Sequence, residues 1–289
     1  MFHAFALFAL ILLIMPFQSA FAEQDFNAIK SQAQLSDDTY LETDTLESRL
    51  QIQGQQLMHQ SLISDSQVSY FLSTAKDVQT IAVRGTANLQ NAMIDLTVSL
   101  QADPVLDIKL HQGFASAARA IYADMKPYLN KDQAIHITGH SLGGAIAVIL
   151  GMYLQTDGYA VTQIITFGQP KVTNVTGAKK FDDLPLIRVV TLHDIVPLVP
   201  PISPLQIKNL DIFWHMGTEV ILMGDKQYAE TSGVKSALRA TKFTTSIPSE
   251  KNLNAHKMTS YLARINDLLE SPIEVPYKTD INLFGFSFD

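Results

Sequence analysis

The stretch Ala134–Leu154, AIHITGHSLGGAIAVILGMYL, decides the fold. Its opening, Ala134–Thr138, carries Ile135, Ile137 and Thr138 in the pattern of a short buried strand, and Gly139 closes it. Ala145–Leu154 is apolar on nearly all sides, as suits a helix packed deep against a sheet. Between the two, Gly139-His140-Ser141-Leu142-Gly143 has the spacing G-x-S-x-G. Average glycine and serine usage produces that string in roughly one chain in ten of this length, so its context is what counts. The glycines permit a sharp strand-to-helix turn that holds Ser141 strained at the apex with its hydroxyl exposed. The helix start behind it brings unpaired N–H groups and the positive dipole end to where negative charge would develop. Ser141 is therefore a candidate nucleophile.

Outward from this turn, three more β-branched runs end at turn residues: Thr80–Val83 before Arg84-Gly85, Gln163–Phe167 before Gly168, and Ile187–Thr191 before His193. Phe114, Ala117, Ala118, Ile121, Met125, Tyr128 and Leu129 form one helical stripe ending near Pro127. Met258, Tyr261, Leu262, Ile265, Leu268 and Leu269 form another. Alternating strands and helices predict an α/β fold with a mostly parallel central sheet flanked by helices. Glu23–Ser73 is polar, with Leu46, Leu50 and Leu57 at helical intervals, and predicts helices and loops. The tail Ser271–Asp289, with Phe284, Phe286 and Phe288, is expected to pack onto the body. No repeat or long linker divides the chain, which predicts one domain.

The 289 residues include no cysteine, 21 Lys plus Arg, 28 Asp plus Glu, and 47% hydrophobic residues. Disulfides, thiolate metal sites and a cysteine nucleophile are excluded. An acidic balance without a basic stripe argues against nucleic acid or an anionic lipid surface as an electrostatic partner. No His/Asp/Glu cluster has metal-ligand spacing, and no cofactor is expected. Ala4–Met15 is an apolar run of 12 residues followed by Pro16 and, at Ala20-Phe21-Ala22, an A-x-A site. Residues 1–22 thus read as a signal peptide, since a spanning helix needs ~20 apolar residues. The mature domain is expected to be 23–289, exported to a periplasm or beyond the cell, with no membrane span.

A serine hydroxyl needs a base, and the base an orienting acid. In folds with this kind of turn the acid follows the serine and the histidine follows the acid. Asp194 lies just past the strand Ile187–Thr191, where α/β sheets build their sites. Two histidines compete as base. His256 sits before the last amphipathic helix, in an expected loop. His215 neighbours Trp214 and precedes an expected strand, Glu219–Met223, where a packed histidine is the more usual outcome. Loop placement favours His256, while chain order alone leaves His215 open.

Several separated motifs, in order from about Thr80 to Leu269, closely resemble the class 3 lipases, the fungal-type lipases of the α/β-hydrolase superfamily. They are AVRGT at Ala82–Thr86, HQGF at His111–Phe114, the Ser141 turn, TFGQP at Thr166–Pro170, VVTLHDIVPLVPP at Val189–Pro201 and WHMGTEV at Trp214–Val220, with His256 and Tyr261 downstream. The resemblance implies Ser141 as nucleophile, Asp194 as acid and His256 as base, with His215, His111 and His140 at non-catalytic positions. It implies an oxyanion hole from the N–H groups of Thr86 and Leu142, with Asp95 holding the Thr86 hydroxyl. Leu89, Ala92 and Met93 fall at i, i+3 and i+4 of a short amphipathic helix, which the resemblance makes a lid. Many members carry tryptophan where this chain has Ala92, so a weak response to interfaces is expected. The lack of cysteine departs from the disulfide-bearing fungal members. The implied activity is serine carboxylester hydrolysis of acylglycerols, with phospholipase A1 or short-chain esterase as the alternatives. A non-catalytic lipid-binding module is the rival from another class, and it would be expected to break this constellation. The implied partner is a lipid ester; protein partners are not legible.

Overall fold

The structure, a computed structural model, describes residues 24–64, 67–86, 100–201, 204–209, 211–233, 235–236, 239, 249–277, 281–283 and 286–288. Its polar amino-terminal stretch forms two helices, α1 (Phe26–Asp38) and α2 (Thr43–Ile52), and an antiparallel pair, β1 (Gln56–Ile63) and β2 (Val68–Ala75). The pair corrects the expectation of helices and loops through Ser73. Leu57, grouped by spacing with the helical leucines, lies on β1 instead. That edge strand has no fully buried residue, and apolar Met58 and Leu62 occupy exposed positions on it, so its polarity does not follow the in–out alternation that marks a strand in sequence.

The chain continues through β3 (Val78–Val83), β4 (Leu100–Asp103), β5 (Ile108–His111), α3 (Gln112–Met125), β6 (Ala134–His140), α4 (Leu142–Thr156), β7 (Ala160–Phe167), β8 (Thr173–Asn174) and α5 (Val175–Lys180). Then come β9 (Leu186–Thr191), α6 (Pro204–Asn209), β10 (Phe213–Trp214), β11 (Thr218–Gly224), β12 (Gln227–Thr231), α7 (Glu250–His256) and α8 (Met258–Asp267). The tail begins as an edge strand, β13 (Ile273–Glu274), paired with β12, and ends in a hairpin of β14 (Ile281–Leu283) and β15 (Phe286–Phe288).

Among the described residues the main sheet runs β1-β2-β3-β6-β7-β9-β11-β12-β13. Its centre, from β3 through β6, β7 and β9 to β11, is parallel, with antiparallel strands at either side. A smaller sheet, β10-β8-β5-β4, lies apart from it. The parallel strands place the loops after β3, β6, β7 and β9 along one edge, which is where such sheets build sites.

Both faces of the sheet are covered. On one, Ile81, Val83, Ile135, Ile137 and Ile164 pack with Phe114, Ala118 and Ile121 of α3 and with Ala145–Leu154 of α4. On the other, Ile165, Phe167, Val189 and Val220 pack with Phe26 and Ile29 of α1 and with Tyr261 and Ile265 of α8. Adjacent residues Ile164 and Ile165 thus serve opposite faces, the period of two expected of a strand. A buried polar link joins α1 to the centre: Ser36 Oγ and Thr138 Oγ1 are 2.8 Å apart, and Thr138 Oγ1 donates to the Ile165 carbonyl at 2.8 Å. Leu35 of α1 joins Leu46 and Leu50 of α2 in a separate cluster over Phe71 and Ala82.

The amino-terminal helices are therefore integral to the sheet's support. Leu46 is fully buried. Replacing it with alanine is expected to cost about 2–5 kcal/mol of unfolding free energy in a urea titration, the range for a leucine lost from a packed core.

Candidate active site

Ser141 stands between β6 and α4 at φ 58° and ψ −127°, a conformation a non-glycine residue holds only where the surroundings impose it. The turn is pinned by the Ser141 N–H, which donates to the Phe167 carbonyl at 2.8 Å. Gly143 shows why small residues flank it. A Cβ there would lie 2.2 Å from the Val83 carbonyl oxygen, so the first turn of α4 could not seat on the end of β3. Helix geometry leaves the N–H of Leu142, at the first position of α4, without an intrahelical partner.

The Arg84-Gly85-Thr86 turn passes alongside: a Cβ on Gly85 would sit 3.3 Å from Ser141 Cβ. Thr86, half-buried, follows directly. Tyr40, a residue the sequence reading passed over, holds this turn. A Cβ on Gly85 would also sit 2.8 Å from the Tyr40 hydroxyl, which accepts the Gly85 N–H, while the Arg84 guanidinium lies 5.0 Å over the tyrosine ring. A lone aromatic after α1 gave no sequence signal of this contact.

Asp194 and His256, separated by 62 residues, meet in the interior: His256 Nδ1 and Asp194 Oδ2 are 2.8 Å apart. Both are almost fully buried, Asp194 at 1% and His256 at 3% exposure. The Tyr261 hydroxyl donates to the same Oδ2 at 2.5 Å, and the Val196 N–H donates to Oδ1 at 2.9 Å. Burial pushes the Asp194 carboxyl up, but the charge of His256 and the hydrogen bonds from His256, Tyr261 and Val196 outweigh it and hold it below the ordinary carboxylate value. An ionised carboxylate only accepts, so His256 Nδ1 donates to it, and a ring carrying that single proton has its lone pair on Nε2. Among the described residues Nε2 has no hydrogen-bond partner, Ser141 Oγ included. Catalytic hydrogen bonds are often long in unliganded sites.

His256 was expected in a loop; it is instead the last residue of α7. That helix starts at a capping box, in which Ser249 Oγ accepts the Asn252 N–H and Asn252 Oδ1 accepts the Ser249 N–H. It stops at Lys257, whose extended backbone separates it from α8. Three contacts bind it to the sheet end: His140 Nε2 to the His256 carbonyl at 2.7 Å, Thr191 Oγ1 to the Ala255 carbonyl at 3.1 Å, and Asn252 Nδ2 to the His193 carbonyl at 2.8 Å. Gly168, at φ 58°, lets β7 come close: a Cβ there would be 2.7 Å from Asp194 Oδ2 and 2.8 Å from His256 Nδ1.

The His140 and His256 rings lie 4.5 Å apart. Burial, with the neighbouring His256 charge, pushes the His140 imidazole down to about 3, so it stays neutral. His215 Nε2 engages the Pro197 carbonyl at 2.7 Å and no carboxylate. His111 caps α3 through Nδ1, which accepts the Phe114 N–H. The structure therefore brings Ser141, Leu142, Thr86, Asp194 and His256 to one edge of the sheet. Leu89, Ala92, Met93 and Asp95 lie outside the described residues. Among the described residues no three His, Asp or Glu side chains converge as metal ligands.

A family model described as lipase (class 3) matches residues 80–203. This segment is similar to the class 3 lipases. It contains Ser141 and Asp194, whereas His256 lies beyond it. The lipase of Rhizopus niveus is 33% identical over 156 residues, covering 50% of this chain and 40% of that protein. The secreted mono- and diacylglycerol lipase 1 of Fusarium solani is 30% identical over 138 residues, covering 42% of this chain and 39% of that one. The match thus spans about two-fifths of these relatives. The mono- and diacylglycerol lipase structure from Aspergillus oryzae superposes with a TM-score of 0.68 at 19% identity, over 81% of this chain and 95% of that one. That likeness establishes the α/β-hydrolase fold.

At this site the Asp194 carboxyl titrates below its unfolded value, so its contribution to stability is present above the unfolded pKa near ~3.9 and is lost as pH falls through the folded one. Tyr261→Phe removes one stabilising donor. The variant should lose about 1–3 kcal/mol near neutrality, and its stability should fall less steeply than wild type as pH drops below ~4, as followed by urea unfolding across pH.

Proposed function

We propose that this protein is an exported serine carboxylester hydrolase acting on acylglycerols, with Ser141 as nucleophile, His256 as general base and Asp194 as the acid that orients it. One observation carries the reading: a buried Asp194–His256 pair presents an unpartnered ring nitrogen next to the strained Ser141 turn. His111, His140 and His215 also leave one ring nitrogen without a partner, but each engages backbone through the other, whereas His256 is oriented by a buried carboxylate.

In the reaction, His256 Nε2 takes the Ser141 proton as Oγ attacks the ester carbonyl. The oxyanion is received by the N–H groups of Thr86 and Leu142, each worth about 3 kcal/mol of transition-state stabilisation. His256 then returns its proton to the leaving alcohol, and a water, deprotonated by the same nitrogen, releases the fatty acid from the acyl-serine. Neutral His140 cannot compete for these protons. Asp95 is assigned to the Thr86 hydroxyl, and Leu89, Ala92 and Met93 to a lid whose small apolar face responds weakly to interfaces. Residues 1–22 act as the export signal and 23–289 as a single catalytic domain, consistent with the secreted relative from Fusarium solani.

The test compares the protein with its Ser141→Ala and Asp194→Asn variants. Wild type should be labelled by a fluorophosphonate probe and hydrolyse nitrophenyl esters. Ser141→Ala should lose labelling, and Asp194→Asn should lose about 10⁴-fold in kcat, as when a triad acid no longer sets the tautomer. Absence of labelling in wild type would make the protein a non-catalytic module, and undiminished labelling of Ser141→Ala would move the nucleophile elsewhere.

Acyl-chain series taken below and above the aggregation threshold test the lid separately. Saturation on soluble short chains, with no rate jump above the threshold, is the outcome expected from Ala92. A sharp jump on long chains would mean a lid that opens at interfaces.

A further inference from the structure

We infer that Lys171 is a positioning residue for Asp194: its side chain, buried behind the turn after β9, ties together the carbonyls of the segment that carries the acid. The inference rests on the reading of Asp194 as the triad acid. Residues 197–200 include Pro197 and Pro200, and Pro201 follows, so this segment is short of N–H donors of its own. Its four successive carbonyls are nevertheless all held. His215 Nε2 engages that of Pro197 at 2.7 Å. Lys171 Nζ donates to that of Leu198 at 2.5 Å and to that of Pro200 at 2.8 Å. The Lys171 N–H donates to that of Val199 at 3.0 Å. Three of the four belong to one residue.

The connection to the acid is short. The Val199 N–H donates to the Val196 carbonyl at 3.2 Å, and the Val196 N–H donates to Asp194 Oδ1 at 2.9 Å. On the other side, Lys171 lies three residues after Gly168, which packs directly against Asp194 and His256. The loop after β7 thus touches the pair at one end and clamps the acid's turn at the other.

Packing alone does not call for a lysine here. Its side chain is 3% exposed, and among the described residues its hydrogen-bond partners are carbonyls, not a carboxylate. The neighbouring Glu219 of β11 is taken by Arg188 of β9 at 3.3 Å and by Arg239 at 2.7 Å. An apolar side chain of similar length would fill the space without burying a cation. What it would lack is a pair of donors. Burial, followed by the charges of Arg239 and Arg188 and opposed by Glu219, pushes the Lys171 ammonium down to about 7, and His215 also faces it. A folded value below the unfolded one near ~10.5 means that the folded state sheds this proton first, so this group makes stability rise with pH from about 7 toward 10.

The experiment uses full-length protein carrying Lys171→Met, Lys171→Arg or Lys171→Gln, a soluble short-chain nitrophenyl ester, and active sites counted by fluorophosphonate titration. Lys171→Met should lower kcat per titrated site about tenfold or more with KM within twofold of wild type, the signature of a misplaced catalytic group. Lys171→Arg, which keeps charge and donors, should recover at least threefold of that loss. Wild type should gain stability relative to Lys171→Met between pH 7 and 9. If kcat per titrated site in Lys171→Met stays within twofold of wild type, whatever its melting temperature, the inference is overturned. Should that variant not fold, Lys171→Gln decides: a threefold or larger fall in kcat at constant KM supports positioning, and an unchanged kcat overturns it. Retained labelling in Ser141→Ala would instead overturn the underlying reading of the site, a result independent of the Lys171 series.

Discussion

A carboxylate with 1% of its surface exposed is the constraint on which this structure turns. Taken out of water, the Asp194 charge costs several kcal/mol unless its oxygens are met by donors. The chain meets them from three separate places: the Val196 N–H in its own turn, Nδ1 of His256 at the end of α7, and the Tyr261 hydroxyl in α8. Satisfying one buried charge therefore requires the turn after β9, α7 and α8 to be docked together. The same docking fixes the ring of His256 and directs its second nitrogen outward from the pair. Stability and chemistry are served here by one set of bonds.

The sheet supplies the rest of the geometry through topology. Because β3, β6, β7 and β9 are parallel neighbours, the segments that follow them emerge side by side. Thr86 leaves β3, Ser141 leaves β6, Gly168 leaves β7 and Asp194 leaves β9. Close backbone approach then matters more than side-chain bulk, and glycines stand where strands and turns touch. Gly143 lets the first turn of α4 rest on the end of β3, and Gly168 lets β7 rest on the Asp194–His256 pair.

This explains what the sequence disclosed. The parallel strands are buried on both faces, so they read as short β-branched runs, and each site residue that follows one is located by it. Ser141 and Asp194 were legible in this way. His256 reaches the site differently, on a short helix whose local signal is the Ser249–Asn252 capping pair, and whose tethers to His140, Thr191 and the His193 carbonyl couple it to residues more than 50 positions away in sequence. Its choice over His215 rested on a loop that proved to be a helix end. The edge strand β1 was illegible because apolar Met58 and Leu62 occupy exposed positions on it, and Tyr40 because its role is to accept a backbone N–H from a turn 45 residues on. Contacts of side chain to distant backbone leave no periodicity to read.

The same distinction bears on the buried cations. Arg188 and Arg239 converge on Glu219, and that pairing can be understood as charge compensation within a packed interior. Lys171 beside them adds a third cation that the one carboxylate does not directly engage. Electrostatics alone would favour its replacement, since burial and both guanidiniums act against its charge. What remains in its favour is directional: a flexible arm able to aim donors at two carbonyls of a proline-interrupted turn, which the backbone of that turn cannot do for itself. A cation tolerated at electrostatic cost, where its hydrogen bonds converge on the loop bearing Asp194, is better explained by the geometry it holds than by the stability it adds.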